Sequence, residues 1–248
     1  MHRRVNCVLL QKSHPMRIIL VFCLLLSSLS SCKDTSSNTN PEQTDSIEKP
    51  DEILVLSTAD SIALAHGYDK WKDVQELRFT WNIDRADTHF ERSFIWKPKT
   101  SDVSMITSED TITYNRNKVD SLSMNADRAF INDAYWLLAP FNIAWDEGVS
   151  FQGPVQAVAP ISGENLNKLT VTYSSEGGYT PGDAYDLYYG EDYILKEWVY
   201  RRGNQAEPSL ATTWEAYKDV GGLKLASMHQ DSTGGFKLYF TGLEVKKN

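Results

Sequence analysis

Apolar and polar residues alternate along most of this chain with a period of two. Leu77, Phe79, Trp81 and Ile83 take every second position, with Glu76, Arg78, Thr80 and Asn82 between them. That pattern predicts an antiparallel strand with one buried face. Phe90, Arg92, Phe94 and Trp96 repeat it beyond a turn at residues 84–88. Residues 103–107 and 111–115 form a second hairpin around Ser108-Glu109-Asp110. Six further runs follow, at 166–173, 184–189, 193–201, 212–217, 223–229 and 236–245. They are separated by turn sequences, among them Glu176-Gly177-Gly178, Gly190-Glu191-Asp192, Arg202-Gly203-Asn204, Gly221-Gly222 and Gly234-Gly235. Asp146-Glu147-Gly148 and Gly153-Pro154 mark a long irregular link before these runs resume.

Two stretches depart from the two-residue period. Phe130, Ala134, Leu137 and Phe141 recur at helical spacing, and Ile131, Tyr135 and Leu138 fill the neighbouring row. Asn125 can cap such a helix and Pro140 is expected to stop it. So wide an apolar surface must be covered on more than one side, which makes 129–141 a plug lying in the hollow of a curved sheet. Further upstream, Ser57-Thr58-Ala59-Asp60 is a capping-box pattern, followed by Leu64, Gly67, Tyr68 and Trp71 on one helical face. Gly67 lowers helix propensity and is expected to let the helix approach something flat. The whole predicts an α+β fold: a curved antiparallel sheet of about ten strands, an incomplete barrel, wrapped around or lidded by two or more helices.

The N-terminus adds an address. Residues 18–26 are an unbroken apolar run, preceded by Arg17 and followed by Ser27-Ser28-Leu29-Ser30-Ser31-Cys32. A basic start, a short apolar core and small residues before a cut site describe a secretory signal. Leu29-Ser30-Ser31-Cys32 is similar to a bacterial lipobox, which makes residues 1–31 a lipoprotein signal peptide and Cys32 the lipidated residue. Met16 would begin a compact signal of this type, and Met1 a longer one. Residues 33–51 are Ser, Thr, Asn, Pro, Glu and Asp around one Ile, too polar to fold, so 32–52 is a lipidated tether and 53–248 the folded domain. The expected location is the cell envelope, at the periplasmic face of the outer membrane or on the cell surface.

Charge and thiols then exclude whole classes of chemistry. The 248 residues carry a formal charge of −8. The leader holds Arg3, Arg4, Lys12 and Arg17 and no acid, so the rest of the chain stands at −12. So acidic a body argues against nucleic acid, whose phosphates need clustered cations. Cys7, Cys23 and Cys32 are the only cysteines, which rules out a disulfide framework, a thiolate zinc site or a cysteine nucleophile in the domain. There is no Gly-rich phosphate loop, no His-Glu-x-x-His and no Gly-x-Ser-x-Gly. His66, His89 and His229 are far apart in sequence, and the adjacent carboxylates at 146–147 and 191–192 suit solvated turns. No catalytic residue, metal or cofactor is assigned.

The order of signal, helix, meander with an inserted helix and terminal hairpins resembles the LolA/LolB-like lipoprotein-carrier fold, an incomplete β-barrel lidded by helices. More narrowly, Ala65-His66-Gly67 with Trp71, then 129–141, then Tyr185-Asp186-Leu187-Tyr188-Tyr189, look like an uncharacterised family of bacterial lipoproteins near that fold. The resemblance covers residues 57–247. It implies an apolar hollow between sheet and helices, which in the carriers holds acyl chains. This chain departs in combining the lipobox with no identifiable protruding apolar loop, so carriage of lipoproteins is not transferred. A cavity for a lipid or acyl ligand is.

Phe79, Trp81, Phe94, Trp96, Trp136 and Phe141 are the candidate ligand-binding residues, with the alternative that they are core contacts between sheet and plug. His66 is either a polar marker of the site or a packed, hydrogen-bonded side chain. Arg78, Arg92, Arg201 and Arg202 can meet an anionic headgroup or be solvated strand residues. The expected partners are the membrane, through the anchor, and a lipid or lipoprotein. A second reading is a structural or assembly lipoprotein that meets a protein along its sheet edge.

Overall fold

The computed structural model of the protein describes residues 56–176 and 181–248. Cys32, the leader and the tether lie outside the described residues, as does the Gly177-Gly178 turn.

Helix α1 (Thr58–Ala65) opens on the capping pattern: Ser57 Oγ accepts the amide of Asp60 at 3.1 Å and lies 2.7 Å from its carboxylate. The expected continuous face from Leu64 to Trp71 does not form. Gly67, at φ +92°, ends the helix and turns the chain into a 3-10 helix at Tyr68–Asp73. The close approach expected of Gly67 is to backbone, since a Cβ there would stand 2.1 Å from the Gly222 carbonyl oxygen. The neighbouring His66 carbonyl accepts the Lys224 amide at 2.9 Å, so α1 docks on a hairpin turn.

The chain then runs as a meander, β1 (Val74–Arg85), β2 (Thr88–Lys97), β3 (Asp102–Ile106) and β4 (Thr111–Asn115), before helix α2 (Met124–Trp145). After α2 come β5 (Val149–Val158), β6 (Asn165–Tyr173), β7 (Ala184–Tyr189), β8 (Leu195–Arg201) and β9 (Leu210–Thr213). The last strands are β10 (Glu215–Val220), β11 (Leu223–Gln230) and β12 (Phe236–Lys247). The twelve strands make two antiparallel sheets, seven-stranded in the order β10-β11-β12-β1-β2-β3-β4 and five-stranded in the order β5-β6-β7-β8-β9. Neither closes. β12 returns to pair with β1, with Trp81 opposite Phe240 and Ile83 opposite Leu238, which joins the chain's two ends in one sheet.

Three expectations are corrected. The run at 212–217 is two strands, because the chain leaves one sheet and enters the other at Trp214. That indole is buried against Trp198 and His229 at ring distances of 5.2 and 4.6 Å. Residues 149–158, expected as a link, form β5. Most of β5 is exposed on both faces, so no burial pattern marked it, and its pairing with β6 is interrupted by an irregularity between Gln152 and Val155. Third, α2 begins before Asn125 and runs past Pro140, which lies inside it. An interior proline removes one amide donor and costs about 3 kcal/mol in isolation. Here the helix continues because Phe141 and Ile143 are buried beyond the proline and Trp145 packs on Trp71.

The two sheets bury α2 from two sides. Phe130, Leu137, Leu138 and Phe141 pack with Leu77, Phe79, Phe94 and Phe240 of the seven-stranded sheet. Ala139 and Ile143 pack with Leu169, Val171, Leu187 and Trp198 of the five-stranded one. Trp136 touches both clusters. The plug expected at 129–141 is therefore covered on more than one side, by two sheets.

Candidate ligand-binding hollow

The apolar stripe of α2 is wider than the two sheets can cover completely, and a hollow of about 900 Å³ runs beside the helix. Its walls come from every layer of the fold. Trp81 and Trp96 are supplied by the seven-stranded sheet, Tyr135 and Trp136 by α2, Tyr185 and Trp198 by the five-stranded sheet, and Trp71 by the 3-10 helix. Because inward positions alternate along each strand, Trp81 and Ile83 of β1 reach the hollow on the same face that sends Leu77 and Phe79 into the core.

Of the six aromatic candidates read from the sequence, Trp81, Trp96 and Trp136 line the hollow. Phe79, Phe94 and Phe141 stand behind the wall, each at most 1% exposed. Phe79 and Phe94 pack on each other at 5.2 Å, and Phe141 lies 5.7 Å from Trp71. His66 is fully buried away from the hollow. One ring nitrogen lies 2.8 Å from the Ile62 carbonyl and the other 3.3 Å from the Tyr217 hydroxyl. Sequence reasoning missed Trp71, Tyr135, Trp145, Tyr173, Tyr185 and Trp198 as wall residues. The signal was present for some of them: Tyr135 sits in the second row of the helical pattern, and Tyr185 in the tyrosine-rich strand.

One group of polar side chains in the wall is engaged internally. The Tyr173 hydroxyl donates to Asp146 at 2.9 Å and lies 3.1 Å from the Tyr135 hydroxyl, while the Asn142 amide reaches both Asp146 oxygens at 3.1 Å. Burial pushes the Asp146 carboxyl up, and Tyr173 and Asn142 draw it back. Burial likewise pushes the Tyr135, Tyr173 and Tyr185 phenols up, so they stay neutral donors. The Trp81 and Trp198 indole nitrogens, by contrast, have no hydrogen-bond partner among the described residues.

The charged lining residues are Arg85, Arg116, Arg128, Arg202, Asp146 and Glu147. Of the arginines singled out in the sequence, only Arg202 is among them. Arg78 pairs with Glu76 at 2.7 Å and Arg201 with Asp186 at 3.1 Å. Arg92 is not a solvated strand residue. It reaches α2 and holds the fully buried Asp133 through two hydrogen bonds, of 2.5 and 2.8 Å.

None of the three described histidines lines the hollow. His229 is fully buried, with Nδ1 3.0 Å from the Thr213 carbonyl, and His89 pairs with Asp84 at 2.7 Å on an exposed stretch of β2. No group of three or more His, Cys, Asp or Glu is placed to hold a metal ion among the described residues. No helix among them is long and apolar enough to cross a membrane.

The chain matches no protein-family profile and no curated protein. Among solved structures, it is similar to a LolA superfamily protein from Nitrosomonas europaea, at 11% identity over 78% of this chain and 96% of that one, with a TM-score of 0.47. A DUF1329 family protein from Desulfovibrio piger matches at 10% identity over 76% of this chain and 92% of that one, with a TM-score of 0.44. A putative outer membrane lipoprotein-sorting protein domain from Vibrio parahaemolyticus matches at 11% identity over 76% and 93%, with a TM-score of 0.42. The expectation drawn from residues 57–247 named the LolA-like fold, and a LolA superfamily protein is among these structures.

Proposed function

We propose that this chain is a membrane-anchored envelope lipoprotein that binds or carries a hydrophobic ligand, a lipid or an acyl chain, in the hollow beside α2. The observation that carries this reading is the aromatic-walled hollow of about 900 Å³. It lies within the span of roughly 300–1,000 Å³ common for ligand sites. A space of this size, open to solvent and walled by aromatic side chains from both sheets and α2, can take an extended apolar body. The reading assigns the protein no reaction of its own. Native mass spectrometry of the protein purified from its own envelope tests it. Co-purifying fatty acid or phospholipid is the expected result; a bare mass that takes up no lipid on titration overturns it.

Cys32 supplies the anchor in this reading, holding the protein at the periplasmic face of the outer membrane or at the cell surface. Several acyl chains hold a protein far more firmly than one, since transfer energy adds with each buried methylene. The Cys32→Ser variant is expected to leave the membrane fraction for the soluble one after export. Continued sedimentation with membranes would remove Cys32 from the account.

One observation favours the second reading, docking of a protein partner along a sheet edge. β5 lies at the edge of the five-stranded sheet, has no charged residue, and exposes Phe151, Val155 and Val158. Edges usually carry charges that prevent such pairing.

A further inference from the structure

The cations of this acidic chain are not spread evenly over its surface. Seven arginines and twelve lysines lie among the described residues; four of the arginines and none of the lysines line the hollow. Against Arg85, Arg116, Arg128 and Arg202 stand two lining carboxylates, Asp146 and Glu147, and Asp146 is already held by Tyr173 and Asn142. The hollow is therefore a cationic site in a body of strongly negative formal charge.

The setting of these side chains matters as much as their number. The Arg85 guanidinium lies over the ring of Phe236 at 5.5 Å, and that of Arg116 over Phe130 at 5.2 Å, both rings belonging to the wall. Arg116 also reaches Asp127 at 3.1 Å. No carboxylate pairs with Arg85 or Arg202 among the described residues. Outside the hollow, Arg78, Arg92 and Arg201 each hold a carboxylate, as Arg116 does within it; the contrast rests on Arg85 and Arg202. Guanidinium is the cation suited to this place, because it stacks on aromatic faces, is weakly hydrated, and keeps a planar fork for two parallel hydrogen bonds to an oxyanion. An aromatic trough bordered by such groups fits a ligand with an apolar body and an anionic head.

We infer that the ligand of the hollow is an anionic amphiphile, whose carboxylate or phosphate head is taken by the lining arginines while its hydrocarbon lies against the tryptophans and tyrosines. This rests on the ligand-binding reading above and narrows it: a neutral lipid of the same chain is a poor ligand. Carboxylate and phosphate share the chemistry of a charged oxyanion, and the measurement separates them.

The full chain is titrated with oleate, oleoyl lysophosphatidate and monoolein, each below its aggregation concentration. Tryptophan fluorescence is the readout, since Trp71, Trp81, Trp96, Trp136, Trp145 and Trp198 all line the hollow. At least one of the anions is expected to bind about tenfold tighter than monoolein, the equivalent of one charge-assisted hydrogen bond. Whichever anion is tighter identifies the head. In Arg85→Gln/Arg128→Gln/Arg202→Gln the gap should close, and in the corresponding triple lysine variant it should persist in part. Near-ultraviolet circular dichroism reports whether each variant keeps its packed core. Equal affinity for the three lipids, or a gap that survives in the glutamine variant, overturns the anion assignment and leaves the hydrophobic site standing. Binding of none of the three overturns both.

Discussion

Arg92→Met is expected to cost roughly 3–5 kcal/mol of folding stability at pH 7.5, because it leaves a buried carboxylate without its cation. Asp133 is completely buried on α2, and Arg92 of β2 meets it with two hydrogen bonds. The guanidinium also lies over the rings of Trp81 and Phe90, at 4.9 and 5.5 Å. The pair thus ties the helix to the sheet beside one wall of the hollow. Burial pushes the Asp133 carboxyl up, and Arg92 and Asn132 pull it back. Without Arg92 only the Asn132 amide, at 2.9 Å, remains to hold it. The carboxyl of the variant should then rise further, so its folded state holds a proton that the unfolded state releases as pH increases. The deficit should accordingly be largest near pH 8 and shrink towards pH 5. Urea denaturation at the two pH values measures both features. Arg92→Met/Asp133→Leu should regain most of the loss, since replacing both partners removes the uncompensated charge. A single-variant loss below about 1 kcal/mol would mean that water reaches Asp133 and that the pair is not structural.

How much of this was legible in the sequence depends on which interactions decide each element. Strands β1 to β4, β11 and β12 were, because one buried face imposes a period of two and turn sequences bound it. The α1 cap at Ser57 was as well, being local chemistry. Pro140 misled because the rule it follows is local, whereas the packing of Phe141, Ile143 and Trp145 against distant residues sustains the helix. Trp214 misled for a related reason. A change of sheet preserves alternation on both sides of the break, so the break itself leaves no trace in the pattern. β5 lacked the signal that marks a strand, since it buries almost nothing. The site divides in the same way. The tryptophans of β1, β2 and α2 were within reach because alternation and helical spacing place them inside. Whether an inward aromatic faces core or hollow is set by a neighbour's volume elsewhere in the chain, and that separated Trp81 and Trp96 from Phe79 and Phe94. The lining arginines were least accessible of all, since Arg85, Arg116 and Arg128 sit at element ends or on an exposed helix row, where charge is ordinary.

The second large effect is on pH. His66 and His229 are buried neutral imidazoles, lowered by burial to about 4 and about 3 from an ordinary value of 6.5. His229 is enclosed by Trp136, Trp214 and Phe240 at ring distances of 5.5, 4.6 and 6.0 Å. Its Nδ1 bonds the Thr213 carbonyl, while Nε2 has no partner at hydrogen-bond distance among the described residues. The backbone of Trp136 also favours the protonated ring. These contributions are smaller than the burial that opposes a charge there. In the unfolded chain both rings take up protons near pH 6.5; in the folded chain neither does until the medium is far more acidic. Stability from these two groups is therefore complete above pH 6.5 and is lost as pH falls through the window from 6.5 towards 4 and 3. At pH 5 each ring should have withdrawn about 2 kcal/mol, so about 4 kcal/mol together relative to pH 8. Asp133 and Asp146, whose carboxyls are raised, act in the opposite direction over the acid range and offset part of this fall. His229→Gln isolates the contribution of this imidazole. It should be less stable than the parent at pH 8, yet lose about half of the His-linked dependence between pH 8 and pH 5. Parallel curves for parent and variant would mean that His229 is solvated in the folded chain.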